Sequence, residues 1–243
     1  MTLINKLVAG VLLAALAVPQ GAVAGIQLQG TRFIYLSDAR EITVDLQNDA
    51  DRAALVQSWL DSGDASAEPG VEQLPFVVLP PLVRVEPRTG QTLRIAYTGQ
   101  GLPEDQESVF WLNVLDVPPR VENSEDRNVM RLAYRTRVKL FFRPDGLPGT
   151  LQDAAENISW TLESVGEGYA LRAHNDGAFH VSFRDITLRA DGHDYHSTDS
   201  GMVGPHDTAD FVMEGLSIPV ASGEVTGYWL NDYGASMEQH YPL

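Results

Sequence analysis

The sequence predicts an all-β protein made of two immunoglobulin-like β-sandwich domains, and three observations carry that prediction. From residue 25 onward the chain is a succession of short alternating apolar and polar segments divided by turn residues, the pattern of half-buried strands. No stretch sustains the 3.6-residue period of a substantial helix. An elbow rich in Pro and Gly, RPDGLPG at residues 143–149, cannot continue a strand and divides the segments into two sets.

The elements follow in order. Lys6, an apolar run over residues 7–18 and the small-residue site Ala22-Val23-Ala24 have the arrangement of a secretory signal peptide, residues 1–24, cut after Ala24. About twelve apolar residues are too few to span a bilayer, and no later stretch is long and apolar enough, so no membrane insertion is expected. Residues 25–143 form the N-terminal domain, with candidate strands TRFIYL, EITVDLQN, ALVQSW, FVVLPPLVRV, QTLRIAY and SVFWLNVLDV. A further strand closes it, RNVMRLAYRTRVKLFFRP at residues 127–144. Residues 144–149 are the hinge. Residues 150–243 form a smaller sandwich with strands NISWTLES, GYALRAHN, HVSFRDITLRA, ADFVMEGLSI and GEVTGYWLND.

The strand that closes the first domain is different in kind. Met130, Leu132, Tyr134, Val138, Leu140 and Phe142 alternate with Arg131, Arg135, Arg137, Lys139 and Arg143, broken only by Thr136. The pattern lasts about fifteen residues, roughly 50 Å at 3.3 Å per residue, which is deeper than a small sandwich. It is also cationic in a chain of net charge -16. The acidic balance argues against nucleic acid as a partner, and the local cations therefore call for a partner or an internal counter-charge.

Catalytic and metal signatures are missing from the sequence. There is no cysteine, G-x-S-x-G elbow, phosphate-cradling glycine loop or H-E-x-x-H, and neither an enzyme nor a cofactor is expected. His193, Asp194, His196, His206 and Asp207 crowd one stretch that could hold zinc in a metal-dependent enzyme. A spacing of three places His193 and His196 on opposite faces of a strand, and the segment reads as a loop with exposed histidines. NDAD and SGDASAEPG lack the spacing of a calcium loop and read as solvated turns.

Residues 102–119, LPEDQESVFWLNVLDVPP, closely resemble the signature of the periplasmic pilus-assembly chaperones, the PapD-like family. RTRVKLFFRP resembles that family's next strand and its exit into the hinge, and LNDYGA (residues 230–235) a motif near the end of its second domain. With GTRFIYL and VLPPLVRVEP the resemblance covers nearly the whole chain after residue 24.

The resemblance implies two sandwiches in an L with a cleft between them, and a chaperone that binds pilin subunits and delivers them to an outer-membrane usher without a nucleotide. It assigns Arg32 and Lys139 to the pilin's C-terminal carboxylate, and Met130, Leu132 and Tyr134 to a donor strand that fills the open groove of an incomplete pilin sandwich. It assigns Glu107, Arg143 and Asp232 to an ionic network between the domains. An exposed apolar edge is an aggregation hazard, so a self-capping homo-oligomer is expected when the chain is free. Arg131, Arg135 and Arg137 are read as solvent-facing charges. Simple alternation places Lys139 opposite the donor residues, and a bulge, strong twist or change of sheet near Thr136 would reconcile them. The segment RVENSEDRN is short and free of cysteine, as in the family's short-loop branch. The alternative is a secreted structural protein, a fimbrial subunit or adhesin built of sandwiches.

Overall fold

The computed structural model describes residues 25–99, 101–118, 132–166 and 168–243. The signal peptide, Met130, Arg131 and the RVENSEDRN segment lie outside the described residues. Among the described residues nine strands make the first unit: β1 (Ile26–Leu28), β2 (Arg32–Leu36), β3 (Ile42–Asn48), β4 (Ala54–Asp61), β5 (Phe76–Leu79), β6 (Leu82–Val85), β7 (Gly90–Tyr97), β8 (Ser108–Val117) and β9 (Tyr134–Arg143). They form two sheets, β1-β3-β7-β5 and β2-β9-β8-β4-β6. The second unit holds one short helix, α1 (Leu151–Glu156), and strands β10 (Ser159–Val165), β11 (Gly168–Asn175), β12 (Val181–Ala190), β13 (His193–His196), β14 (Gly201–Val203), β15 (Asp207–Val212), β16 (Glu224–Leu230) and β17 (Ser236–Pro242). Its sheets are β10-β11-β15 and β13-β12-β16-β17, with β14 also paired to β12.

Each unit has its own core. In the first, Val44, Leu46, Leu93, Ile95, Leu112 and Leu140 interdigitate beside an aromatic cluster of Tyr35, Phe76, Tyr97, Phe110 and Phe142. Tyr35 is fully buried, and its hydroxyl donates to Ala39 O at 3.1 Å and accepts from Tyr97 N at 3.0 Å, so its polar end is satisfied. In the second, Trp160, Phe183, Phe211 and Tyr241 pack edge to face or tilted around Leu171, Ile186 and Leu188. Burying one such aliphatic side chain contributes about 1.5–3 kcal/mol. α1 starts at Thr150, whose Oγ1 accepts from Asp153 N at 3.1 Å and caps the first turn.

Three segments differ from the sequence reading. FVVLPPLVRV is not one strand: β5 pairs with β7 and β6 with β4, in opposite sheets. Pro80 and Pro81 have no N–H to continue a ladder, and the chain changes sheets there. The histidine segment is not a loop, because His193–His196 pairs with β12 as an edge hairpin strand. β17, SMEQHYP, pairs along all of β16, though only Tyr241 of its residues is buried.

β9 positions the site. It pairs antiparallel with β8 from Asp116↔Tyr134 to Ser108↔Phe142 without a register shift. Val138, Leu140 and Phe142 therefore face the core, while Arg135, Arg137, Lys139, Phe141 and Arg143 share the other face. On its other edge β9 pairs in parallel with β2, but only from Arg32↔Lys139 to Leu36↔Arg143. Residues Tyr134 to Val138 have no strand on that edge among the described residues.

Candidate functional site

Arg32 and Lys139 face each other across the first rung of the parallel ladder, at the seam between the two units. Arg32 is buried, its NH1 donates to Leu230 O of the second unit at 3.0 Å, and its guanidinium lies 5.7 Å from the Phe141 ring. Its buried Nε has no hydrogen-bond partner among the described residues. Lys139 Nζ donates to Ser182 Oγ, also of the second unit, at 3.1 Å. Neither cation has a carboxylate at ion-pair distance among the described residues. Burial, and then the Arg32 charge, push the Lys139 ammonium down to about 8 from 10.5. Burial likewise lowers Arg32 from its ordinary value, partly opposed by the charges of Asp232 and Glu107. Two desolvated cations with only neutral acceptors form a site for an anion, and a carboxylate with two oxygens matches such a pair.

The donor residues are placed differently. Tyr134 is 62% and Leu132 54% exposed, large apolar surfaces at the end of the strand that leaves the core. The β8–β9 ladder runs without a bulge from Tyr134 to Phe142, so Lys139 and Tyr134 occupy opposite faces of one strand, as simple alternation places them. The core-side face of the strand ends in the exposed Tyr134 at one end, and its opposite face carries Lys139 to the second unit at the other.

Glu107, Arg143 and Asp232 come together at the hinge. Arg143 Nε donates to Glu107 Oε1 at 2.6 Å, and its NH1 and NH2 clasp both Asp232 oxygens at 2.7 and 2.8 Å. Burial pulls the Arg143 guanidinium down, but hydrogen bonds and charges from Asp232 and Glu107 outweigh it and hold it above its ordinary value. Glu107 is 2% exposed, and its other oxygen accepts His180 N at 2.9 Å. Its own amide donates to Ala178 O at 2.9 Å. The Phe179 ring lies 5.1 Å from the Arg143 guanidinium.

Several participants escaped the sequence reading. Ser182 and His180 reach the site from far along the chain with no local pattern to mark them, and Leu230, though it opens the LNDYGA motif, carries no sign in sequence that its carbonyl accepts from Arg32. Gly234 closes the Asn231 turn with φ +80, and a Cβ there would lie 2.4 Å from Thr31 Oγ1, so the turn seats directly against the start of β2. Arg137 is not a free surface charge: its Nε donates to the buried Asp61 at 3.0 Å and NH2 also binds that carboxylate, with the Trp111 ring 4.7 Å away. Although burial opposes it, the bonds from Arg137, Asn113 and the Gly63 amide keep the Asp61 carboxyl below its ordinary range. Arg135 is exposed, as read from the sequence, and its NH2 donates to Ala65 O at 2.6 Å. His196 and His193 are bound to Thr187 Oγ1 and Asp191 O at 3.0 and 3.1 Å, and Asp194 to Arg189. No group that could hold a metal ion occurs among the described residues, and no helix there is long and apolar enough to cross a membrane.

Comparison with known proteins agrees with this fold. Residues 25–148 match the family model described as pili and flagellar-assembly chaperone, PapD N-terminal domain, and residues 153–241 match pili assembly chaperone PapD, C-terminal domain. The chain is 41% identical over 227 residues to the probable fimbrial chaperone YadV of Escherichia coli (strain K12), covering 92% of each. It is 37% identical over 228 residues to the chaperone protein FimB/FhaD of Bordetella pertussis, covering 92% of this chain and 89% of that one. The crystal structure of YadV superposes with a TM-score of 0.78 over 90% of this chain and 100% of that one, at 38% identity. The Salmonella enterica SafA pilin in complex with the SafB chaperone gives 0.74 over 90% of this chain and 96% of that one, at 29% identity. With both family models matched in order and relatives covered almost end to end, this chain belongs to the PapD family of pilus-assembly chaperones.

Proposed function

We propose that the chain is a periplasmic chaperone that captures pilin subunits by donor-strand complementation, binds their C-terminal carboxylate between Arg32 and Lys139, and passes them to an outer-membrane usher. The observation that carries this reading is the coincidence of two features on one strand. The unpaired edge of β9 ends where β2 begins, and the two uncompensated cations stand at that junction. A strand added to the free edge, with its terminal carboxylate at Arg32 and Lys139, runs in line with β2 and therefore parallel to β9. Leu132 and Tyr134, with Met130 beyond them, then fill alternate pockets of the subunit's groove. Glu107, Arg143 and Asp232 hold the two sandwiches at the angle the cleft needs. The SafA–SafB pair, a pilin with its chaperone, supports a subunit as the ligand.

Binding replaces chemistry in this reading: the chain takes no cofactor, and exchange for a better-fitting subunit strand releases the cargo without a nucleotide. Residues 1–24 direct export as a signal peptide and are removed by cleavage after Ala24. The domains follow residues 25–143, a hinge over 144–149 and residues 150–243, and the free chain caps its donor edge by self-association. The test is periplasmic co-expression with the pilins encoded beside it, followed by pull-down. Wild type yields a one-to-one complex and Lys139→Ala yields none while remaining folded. Normal pilin recovery with Lys139→Ala would sink the anchor.

A further inference from the structure

We infer that removal of residues 1–24 creates an ion pair that the precursor lacks, between the new α-ammonium of Gly25 and the buried carboxylate of Asp116. Asp116 lies at the end of β8, only 3% exposed. Arg52 reaches one of its oxygens, Oδ2, at 3.3 Å from a half-exposed position. The other, Oδ1, is buried with no hydrogen-bond partner among the described residues. An ionised carboxylate left half-satisfied in the interior is costly, and a cation beside it removes that cost.

Arg52 supplies one to Oδ2, and Gly25 is the residue placed to supply a second. A Cβ at Gly25 would lie 2.2 Å from Asp116 Oδ2, so the carboxylate packs directly against the Gly25 α-carbon and leaves no room for any side chain. The α-nitrogen is bonded to that same carbon, within a few ångströms of the carboxylate. Gly25 is itself pinned, since Asp49 N donates to Gly25 O at 3.1 Å and Ile26 pairs with Asn48 at the start of β1. As an amide within the precursor this nitrogen is neutral; as a chain terminus it carries a full charge below about pH 8. Among the described residues, the charged or titratable groups around the pair are Arg52, Asp49 in the adjoining turn, and Tyr134, directly opposite Asp116 in the β8–β9 ladder. The processed terminus thus secures the end of the sandwich from which the exposed Tyr134 projects.

The inference goes beyond the proposed function but rests on its export and cleavage, so the experiment uses purified chains of defined N-terminus. The periplasmically processed protein is compared with a chain that retains Val23-Ala24 ahead of Gly25, each as wild type and as Asp116→Asn. The extended wild type is expected to unfold about 2–4 °C below the processed one at pH 7. The gap should close as the pH rises past the titration of the α-amine, because a base that gains a partner stabilises the fold below its unfolded pKa and not above its folded one. In Asp116→Asn the two forms should coincide. Equal midpoints in the wild type would overturn the ion pair. So would an equal loss in Asp116→Asn, which would make the effect one of bulk, or N-terminal sequencing that starts the processed chain elsewhere. A precursor that is never exported would instead show as retained full-length chain.

Discussion

Arg32 and Lys139 stand opposite each other at the first rung of the β2–β9 ladder, and each directs its hydrogen bond into the second sandwich rather than its own. The pair is therefore covered by the meeting of the domains, Arg32 buried and Lys139 half-buried, with no carboxylate at ion-pair distance among the described residues. The sensitivity of Lys139 to pH follows directly.

Lys139 is depressed to about 8 from 10.5, so in the folded free chain it loses its proton near 8, whereas in the unfolded chain it keeps it to about 10.5. Between those values the unfolded state holds more protons, and stability rises with pH. Below about pH 8 the charged form costs roughly 3 kcal/mol at 1.36 kcal/mol per unit. Urea midpoints of wild type should lie below those of Lys139→Met at pH 7 and converge with them by pH 10. Pilin capture has the opposite sign: it should weaken above pH 8 in wild type but hold in Lys139→Arg, whose charge does not titrate there.

Tyr134 separates binding from folding. With 62% of its surface exposed, it contributes little to the core, so the uncharged Tyr134→Asn should change the unfolding free energy by no more than about 0.5 kcal/mol. On a strand that enters an apolar groove, the same polar amide should reduce pilin recovery at least tenfold. Recovery at the wild-type level would remove Tyr134 from the donor set.

The hinge network predicts an order of effects. Arg143→Met strands Glu107, which is 2% exposed, and should destabilise by about 3–5 kcal/mol. The Asp232 side chain is 33% exposed, and Asp232→Ala should cost no more than about 1–2 kcal/mol. Equal losses in urea titrations would show that Glu107 does not depend on Arg143.

Gly234→Ala should act between the domains. A methyl group there meets a left-handed backbone at φ +80 and Thr31 Oγ1 at 2.4 Å. Strain of about 1–2 kcal/mol is expected, and Thr31→Ala should relieve part of it in a double-mutant cycle. Additive losses would mean that the turn does not seat on β2.

What the sequence disclosed follows from the range of each interaction. Strands such as EITVDLQN and QTLRIAY announce themselves because one face is buried and the other is not, so β3 and β7 begin and end within a residue of the alternation. β17 did not, since an outer strand with one buried aromatic leaves no period to read. Pro80-Pro81 was in plain view, yet a change of sheet requires knowing which neighbours lie on each side. Arg137 looked like its exposed neighbour Arg135, and only the approach of Asp61 from β4 distinguishes them. The motif match brought Glu107, Arg143 and Asp232 onto one page, whereas Ser182 and the Leu230 carbonyl became visible only once the second sandwich was folded against the first.

The stop in the parallel ladder at Arg32 has one more consequence. A strand laid along the free edge of β9 meets the chaperone's own β2 head-on, so nothing can extend past the anchor without colliding with it. On the proposed reading the cleft is a gauge for finished polypeptides. A subunit still emerging from the translocation channel, or one lengthened by a tag at its tail, presents no terminus there and is refused, while the same tag at its head is accepted.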